Sequence, residues 1–370
     1  MLSILDRYFL RELAQTVAAT TIVLLAIITG TTFAKVLQQV AGGSFPASVM
    51  FPVLGLRTLD GLTNLLPLAG FLGVMMALGR MYRESEMHVL ASSGMGPGGL
   101  LKPVAILAGL IVFITGLVSL WLGPWAVRTA DALVAEANRS VIAAGLDAGR
   151  FTELPGKGGI IFVESLSRDG SVLGKTFVAS ESVDKDGLRE LKLVTAAGGQ
   201  LYQDSEGQGR FMALRNGWQY KIPLGRDDWW RMQYARNDVA LSNVQADEDE
   251  DPAHSQGTWA LATSPSPDAR AEFAWRIHAP PMAFVLLMLA LPLSRQSPRE
   301  PRYGRILLAL LGFYFYYLVL ALGRAQIGKG HWANSAPLLL VHLLALALAA
   351  WMFWKQYAPR KPRGPRKAVA

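Results

Sequence analysis

The chain has 370 residues, 51% hydrophobic and 17% charged, where an ordinary soluble domain carries roughly a quarter charged residues, so a simple water-soluble globule is excluded. It contains no cysteine, which rules out a disulfide framework and a thiolate metal site. The net charge of +8 would suit nucleic acid if gathered on one face, but it is confined largely to short loops between apolar runs, and no nucleic-acid partner is expected.

Arg7 and Arg11 precede the first apolar run, residues 13–34. That run exceeds the ~7–15-residue apolar core of a cleaved signal peptide, so it predicts a retained membrane helix. A hydrocarbon layer about 30 Å thick is crossed by roughly 20 helical residues, fewer where neighbours help. Further runs of this kind cover 54–78, 104–127, 277–293, 306–322 and 337–354. One set of connections holds Arg7 and Arg11, then Arg80, Arg83 and Lys102, then Arg295, Arg299, Arg302 and Arg305, and finally Lys355, Arg360, Lys361, Arg363, Arg366 and Lys367. The alternate connections, 42–53 and 323–335, are much poorer in charge. Because positive loops stay in the cytoplasm, both termini are predicted inside and the long segment between the third and fourth helices outside.

Between helices two and three, residues 79–94 predict a short amphipathic helix. Met87, Leu90 and Ala91 recur at helical spacing, Glu84 and His88 share another face, and Gly94 with Gly96-Pro97 ends it. Such a helix either lies on lipid or seats in a groove of a partner protein. The acidic pair Glu84 and Glu86 argues against an anionic lipid surface and favours the groove.

After the third helix, residues 128–144 read as its outward continuation. Residues 160–163, 191–194 and 211–214 are short β runs separated by turn signals: Pro155-Gly156, Asp169-Gly170, Asp186-Gly187, Gly198-Gly199, Glu206-Gly207 and Asn216-Gly217. This pattern predicts an all-β sandwich or roll. Residues 246–268, with the acidic run 247–251 and Ser264-Pro265-Ser266-Pro267, read as a flexible linker. The expected layout is helices one to three over 1–130, a β domain with its linker over 131–268, helices four to six over 269–356, and a basic tail over 357–370.

Gly170-Ser171-Val172-Leu173-Gly174-Lys175-Thr176 looks like a phosphate-binding loop but has three residues between its glycines instead of four, and sits in a predicted hairpin. No ATPase site is expected in the chain. No hydrolase elbow, intramembrane carboxylate pair, cofactor motif or metal site is evident, so no catalytic residue is assigned. His278 and His342 fall near the outer ends of their helices, where a structural hydrogen bond is the favoured reading. Lys35, Arg57, Arg128, Arg276 and Arg324 lie at or near the outer helix ends. Each alone would snorkel to the interface; together they could ring an anionic headgroup.

The whole chain resembles the LptF/LptG permease family. The resemblance is carried by Arg7-Tyr8 with Arg11-Glu12, by Gly79-Arg80-Met81-Tyr82-Arg83-Glu84-Ser85-Glu86 running to Ser93-Gly94, and by Ile161-Phe162-Val163-Glu164-Ser165. It continues through Ala271-Glu272-Phe273-Ala274-Trp275-Arg276-Ile277, Pro292-Leu293-Ser294 and Gly304-Arg305. The order of these segments suits the LptF branch, while Leu5-Asp6-Arg7-Tyr8 resembles LptG. The resemblance implies a Gram-negative inner-membrane ABC transporter permease with six helices, both termini inside, and a periplasmic β-jellyroll between the third and fourth. It implies an LptG-like partner permease, an LptB-like ATPase dimer, an LptC-like bitopic protein, and lipopolysaccharide extracted from the membrane towards a periplasmic bridge. By that resemblance Arg83, Glu84, Glu86 and His88 form the segment that couples to the ATPase and moves helices one and five. Lys35, Arg57, Arg128, Arg276 and Arg324 would then meet lipopolysaccharide, and the jellyroll its acyl chains. The competing reading is a non-transporting scaffold that anchors a β interaction domain, which would tolerate Glu84→Lys. A secondary transporter would place carboxylates or broken helices at the midplane, and the apolar runs carry almost none.

Overall fold

The structure, a computed structural model, describes residues 3–41, 46–95, 97–145, 148–154, 159–167, 172–183, 189–203, 210–224, 228–240, 253–295 and 304–357. The chain forms two compact units: Met1–Thr32 with Leu56–Arg128 and Pro252–Ala370, and Phe33–Gly55 with Thr129–Asp251.

The first unit is helical. Its elements are drawn from α1 (Ile4–Ala41), α2 (Met50–Arg83), α3 (Glu86–Ser92), α4 (Leu101–Leu117), a π-helical turn (Val118–Leu122) leading into α5 (Gly123–Gly145), α6 (Thr258–Thr263), α7 (Pro267–Leu293), α8 (Gly304–Gly328) and α9 (Ala336–Tyr357). Among the described residues, six helical stretches are long and apolar enough to cross a membrane: Ile4–Ala41, Ala47–Arg83, Gly98–Ala137, Pro267–Leu293, Gly304–Gly328 and Ala336–Gln356. Each contains one of the expected apolar runs. The apolar window of α7 is 67% buried and that of α2 61%, against 6% for α1, 22% for α8 and 17% for α9. Thus α2 and α7 form the packed centre with α4, through Phe71, Met75, Val104, Leu107, Leu286 and Leu287. The outward faces of α1 and α8 expose Ile22, Ile27, Leu307, Leu308, Leu311 and Phe315, as lipid-facing helices do.

Local chemistry sets where these helices begin and bend. Ser3 and Asp6 cap α1 reciprocally: the Asp6 amide donates to Ser3 Oγ at 3.0 Å and the Ser3 amide to Asp6 Oδ2 at 2.9 Å. At α7, Ser266 Oγ accepts from the Ala269 amide at 3.3 Å and Pro267 occupies the first turn. The helix therefore starts ten residues before the apolar run, because Glu272 and Arg276, which interrupt the apolar pattern, pair within it. Pro280 lacks the amide that would bond the Arg276 carbonyl; Ser119 Oγ, from the π-helical turn, donates to that carbonyl instead at 2.9 Å.

The second unit is built on one antiparallel sheet. Its strands are β1 (Phe151–Leu154), β2 (Gly159–Val163), β3 (Val172–Leu173), β4 (Thr176–Val183), β5 (Arg189–Gln203), β6 (Arg210–Pro223) and β7 (Trp230–Ala240). The order is β1-β2-β4-β5-β6-β7, with β3 also pairing β5. One face buries Ile161, Val163, Val178, Val194, Met212 and Leu214, the alternation expected of strands.

Two expected turns are not turns. Gly198-Gly199 lies within β5 and Asn216-Gly217 within β6, and Gly198 pairs with Arg215 while Gly217 pairs with Ala196. Asn216 has φ +50°, so the ladder is interrupted at mid-strand and then resumes in the same register. A Cβ on Gly217 would fall inside the Thr195 carbonyl oxygen and 2.6 Å from the Tyr234 hydroxyl. Tyr234 crosses this glycine to donate to the Thr195 carbonyl at 2.6 Å, and burial pushes its hydroxyl pKa up to about 12. The other turn signals lie outside the described residues.

The linker reading also changes. Residues 246–252 lie outside the described residues, but 253–268 contain α6 and are bonded onto the helical unit, so this stretch is a strap, not a flexible tether.

Candidate functional site

At the α6 end of the helical unit, three charged side chains converge on Glu272, which is 1% exposed, and a fourth joins them through one of the three. Arg276, one helical turn along α7, donates from Nε to Glu272 Oε1 at 2.8 Å. Its remaining nitrogens bond the strap: Nη1 to the Gln256 carbonyl at 2.9 Å and Thr258 Oγ1 at 3.2 Å, Nη2 to the His254 carbonyl at 2.8 Å. Arg324 of α8 donates to Glu272 Oε2 at 2.8 Å and stands over the Trp275 ring. The His254 ring lies between two carboxylates, with Nδ1 2.9 Å from Glu272 Oε1 and Nε2 3.0 Å from Asp60 Oδ2 of α2. Thr258 in turn donates to the Leu120 carbonyl at 2.6 Å, within the π-helical turn, where the regular ladder is interrupted. The result is a paired, hydrogen-bonded network joining α2, the π-helical turn, the strap, α7 and α8.

Both nitrogens of His254 face acceptors, so the ring is held as imidazolium. Hydrogen bonds to Asp60 and then Glu272 raise its pKa from 6.5 to about 10. Because the folded value is the higher one, the stabilisation is complete below pH 6.5, declines as pH rises, and is gone above about 10. Thermal unfolding in detergent should accordingly show wild type more stable than His254→Gln at pH 6, with the difference closing by about pH 10.5. A difference that persists unchanged at the higher pH would show that the ring contributes by packing and not by charge.

The cations singled out in the sequence are distributed unequally. Arg276 is buried and Arg324 partly buried in this network. Arg128 is exposed, with Nη1 3.0 Å from where a Cβ on Gly257 would stand, and Arg57 is half-buried on α2 one turn from Asp60. Lys35 is exposed on α1 and belongs to the other unit. Sequence reasoning missed Asp60, His254 and Glu272. The signal for Glu272 was present, since a carboxylate four residues before an arginine at a membrane helix end calls for a named partner; nothing local marked Asp60 or His254.

About 35 Å of α2 separates Asp60 from Arg83. There the expected single helix over 79–94 is two: α2 continues to Arg83, and Ser85 at φ +63° turns the chain into α3. Gly94 at φ +91° closes α3, with its amide bonded to the Ala91 carbonyl and that of Met95 to the Leu90 carbonyl. Met87 and Leu90 pack into the helical core, whereas Ala91, expected on that face, is exposed, as are Glu84, His88 and Val89. Arg83 is half-buried. Glu86 turns the other way and accepts from the Tyr8 hydroxyl of α1 at 2.9 Å. The two acids thus face different neighbours.

His278 and His342 form the structural hydrogen bond expected of them, Nδ1 to Nε2 at 2.9 Å, with Tyr316 bonded to His342 Nδ1. In the phosphate-loop lookalike, the Gly174 amide donates to the Ser165 carbonyl at 2.8 Å and Lys175 pairs with Glu164 at 3.4 Å. Strand β4 follows, where a phosphate cradle needs a helix. No cluster able to hold a metal ion occurs among the described residues.

In chain order, three helices long and apolar enough to span a membrane precede a β-sheet unit and three follow it, the layout of a multi-pass membrane permease. The chain belongs to the lipopolysaccharide export system permease LptF/LptG family, whose model matches residues 7–355. It is 30% identical over 351 residues to the lipopolysaccharide export system permease protein LptF of Escherichia coli K12, covering 94% of this chain and 93% of that protein. The same identity and coverage hold for LptF of Escherichia coli O157:H7 and of Shigella flexneri. It is an inner-membrane, multi-pass protein.

Proposed function

We propose that this chain is the LptF-type subunit of an ATP-driven exporter. It pairs with an LptG-like permease and an LptC-like protein, and extracts lipopolysaccharide from the inner membrane towards a periplasmic bridge. ATP hydrolysis belongs to an LptB-like dimer, and the chain itself is not an enzyme. In this reading both termini and α3 face the cytoplasm, and the β unit is the family's periplasmic jellyroll. The observation that carries it is the seating of α3: Met87 and Leu90 hold it to the core, while Glu84, His88 and Val89 form an outward face. That face suits a groove in a partner better than an anionic lipid surface. Arg83 and Glu84 would meet the ATPase directly, and Glu86 would act from behind through Tyr8. On the periplasmic side, Arg276 would hold the network together, and Lys35, Arg57, Arg128 and the partly exposed Arg324 would meet anionic headgroups.

The test is ATP-dependent release of lipopolysaccharide from proteoliposomes containing this chain, its partner permease and the ATPase. Glu84→Lys is expected to lower release by about tenfold or more, as loss of a centrally placed charge contact does, and Glu84→Ala by less. Unchanged release in both variants would remove the coupling role of α3. No release from wild type would favour a non-transporting scaffold.

A further inference from the structure

The first two thirds of α1 touch the rest of the helical unit chiefly near its beginning. Phe9 and Leu13 are fully buried and Val17 is 8% exposed, yet only 6% of the helix's apolar window is buried. At that buried stretch the backbones of α1 and α2 meet closely, since a Cβ on Gly73 would stand 2.6 Å from Val17 Cα. Three polar links occur over the same two turns of α1. Asp6 Oδ2 accepts from Lys102 Nζ at 3.0 Å. The Tyr8 hydroxyl donates to Glu86 Oε2 at 2.9 Å, and Glu12 pairs with Arg80. Glu86 belongs to the first turn of α3, Arg80 to the last turn of α2, and Lys102 to the first turn of α4.

We propose that Tyr8, Glu12 and Arg80 are positioning residues that fasten the beginning of α1 to the α3 segment, so that displacement of α3 turns α1 as a lever. The inference rests on the coupling reading of α3 and assigns the residues that carry its motion. A helix bound along its length could not swing without breaking a packed core, whereas within the helical unit α1 is closely buried only from Phe9 to Val17 and beyond that stretch exposes Ile22, Val23 and Ile27. Each polar link is partly exposed, and such links are individually weak. Together they define direction, because the Asp6 carboxylate, the Tyr8 hydroxyl and the Glu12 carboxylate bond three different elements, α4, α3 and α2, and so prevent the helix from rotating about its own axis. The apolar contacts of Phe9 and Leu13 supply adhesion, which has no direction of its own.

The experiment measures lipopolysaccharide released per ATP hydrolysed by the full reconstituted complex. Tyr8→Phe removes one hydroxyl and no packing; it is expected to assemble normally and keep its ATPase rate while release per ATP falls about threefold to tenfold, the net worth of one ordinary, solvent-exposed hydrogen bond. Glu12→Arg and Arg80→Glu should each lower the ratio, and the double charge swap should restore it. A merely structural role would lower thermal stability and leave the ratio intact. If Glu84→Lys abolishes release while Tyr8→Phe and the single charge reversals leave the ratio at the wild-type value, the fastening role is overturned and the coupling reading stands. If Glu84→Lys has no effect, the coupling reading falls and this inference with it.

Discussion

Glu272→Ala is expected to destabilise the helical unit by about 3–5 kcal/mol, the cost of removing one partner from a buried ion pair. The reason is the company Glu272 keeps. Its carboxylate, 1% exposed, is the shared acceptor for Arg276, Arg324 and His254. Without it, the Arg276 guanidinium, 3% exposed, remains buried with only neutral strap groups as acceptors. His254 can relieve its own share by losing a proton, but an arginine cannot. Denaturant unfolding in detergent, followed by tryptophan fluorescence, would measure the loss. The companion variant Arg276→Ala and the double variant complete the cycle. The double should be less destabilised than the sum of the singles, because the second truncation removes the charge that the first stranded. A loss below about 1 kcal/mol for Glu272→Ala would place the network among weak surface ion pairs and remove its role in holding the strap.

Gly217→Ala should have an effect of similar size in the other unit, about 3 kcal/mol or more, through overpacking at a site that cannot yield. The new methyl group would overlap the Thr195 carbonyl oxygen, a backbone atom of the neighbouring strand, and approach the Tyr234 hydroxyl to 2.6 Å. Adding Tyr234→Phe relieves only the second contact, and it removes the hydroxyl that bonds the Thr195 carbonyl. Partial rescue at best is therefore expected. Hydrogen exchange of β5, β6 and β7 in the full chain reads this directly: protection should fall in these strands and persist in α2 and α7. Equal protection in wild type and Gly217→Ala would mean that the sheet bends enough at Asn216, where φ is already +50°, to admit the methyl group.

These two sites also show where sequence reasoning stopped. Gly217 follows an asparagine, and Asn-Gly between apolar runs is a strong hairpin signal. Here the left-handed Asn216 interrupts a long strand instead, because a tyrosine from the next strand crosses the glycine. Local chemistry was read correctly as a demand for special backbone, but the partner that uses it lies seventeen residues away. Glu272 and Arg276 broke the apolar run, so the fourth helix seemed to begin at 277; paired within α7, they are compatible with a helix that starts at Pro267.

At the α3 end, a short amphipathic segment carrying Glu84, Glu86 and His88 was legible, and Gly94 as its stop. Their facing was not, because Ser85 turns the chain and sends Glu84 outward and Glu86 towards α1. Helical periodicity assumes one continuous helix, and a single residue at positive φ resets it.

What the sequence determined by itself is everything that depends on one-dimensional pattern. Apolar run length set the six spanning helices, alternation marked β2, β5 and β6, and the order of motifs carried the family resemblance. The tertiary structure alone decided which charges are available and which are enclosed. Five outward cations looked equivalent in the sequence, yet Arg276 is buried against Glu272 and the strap while Lys35 and Arg128 are exposed. The physical reason is that a charge is satisfied by groups close in space: Asp60, His254 and Glu272 are brought within 3.0 Å of one another's partners only when α2, the strap and α7 pack together.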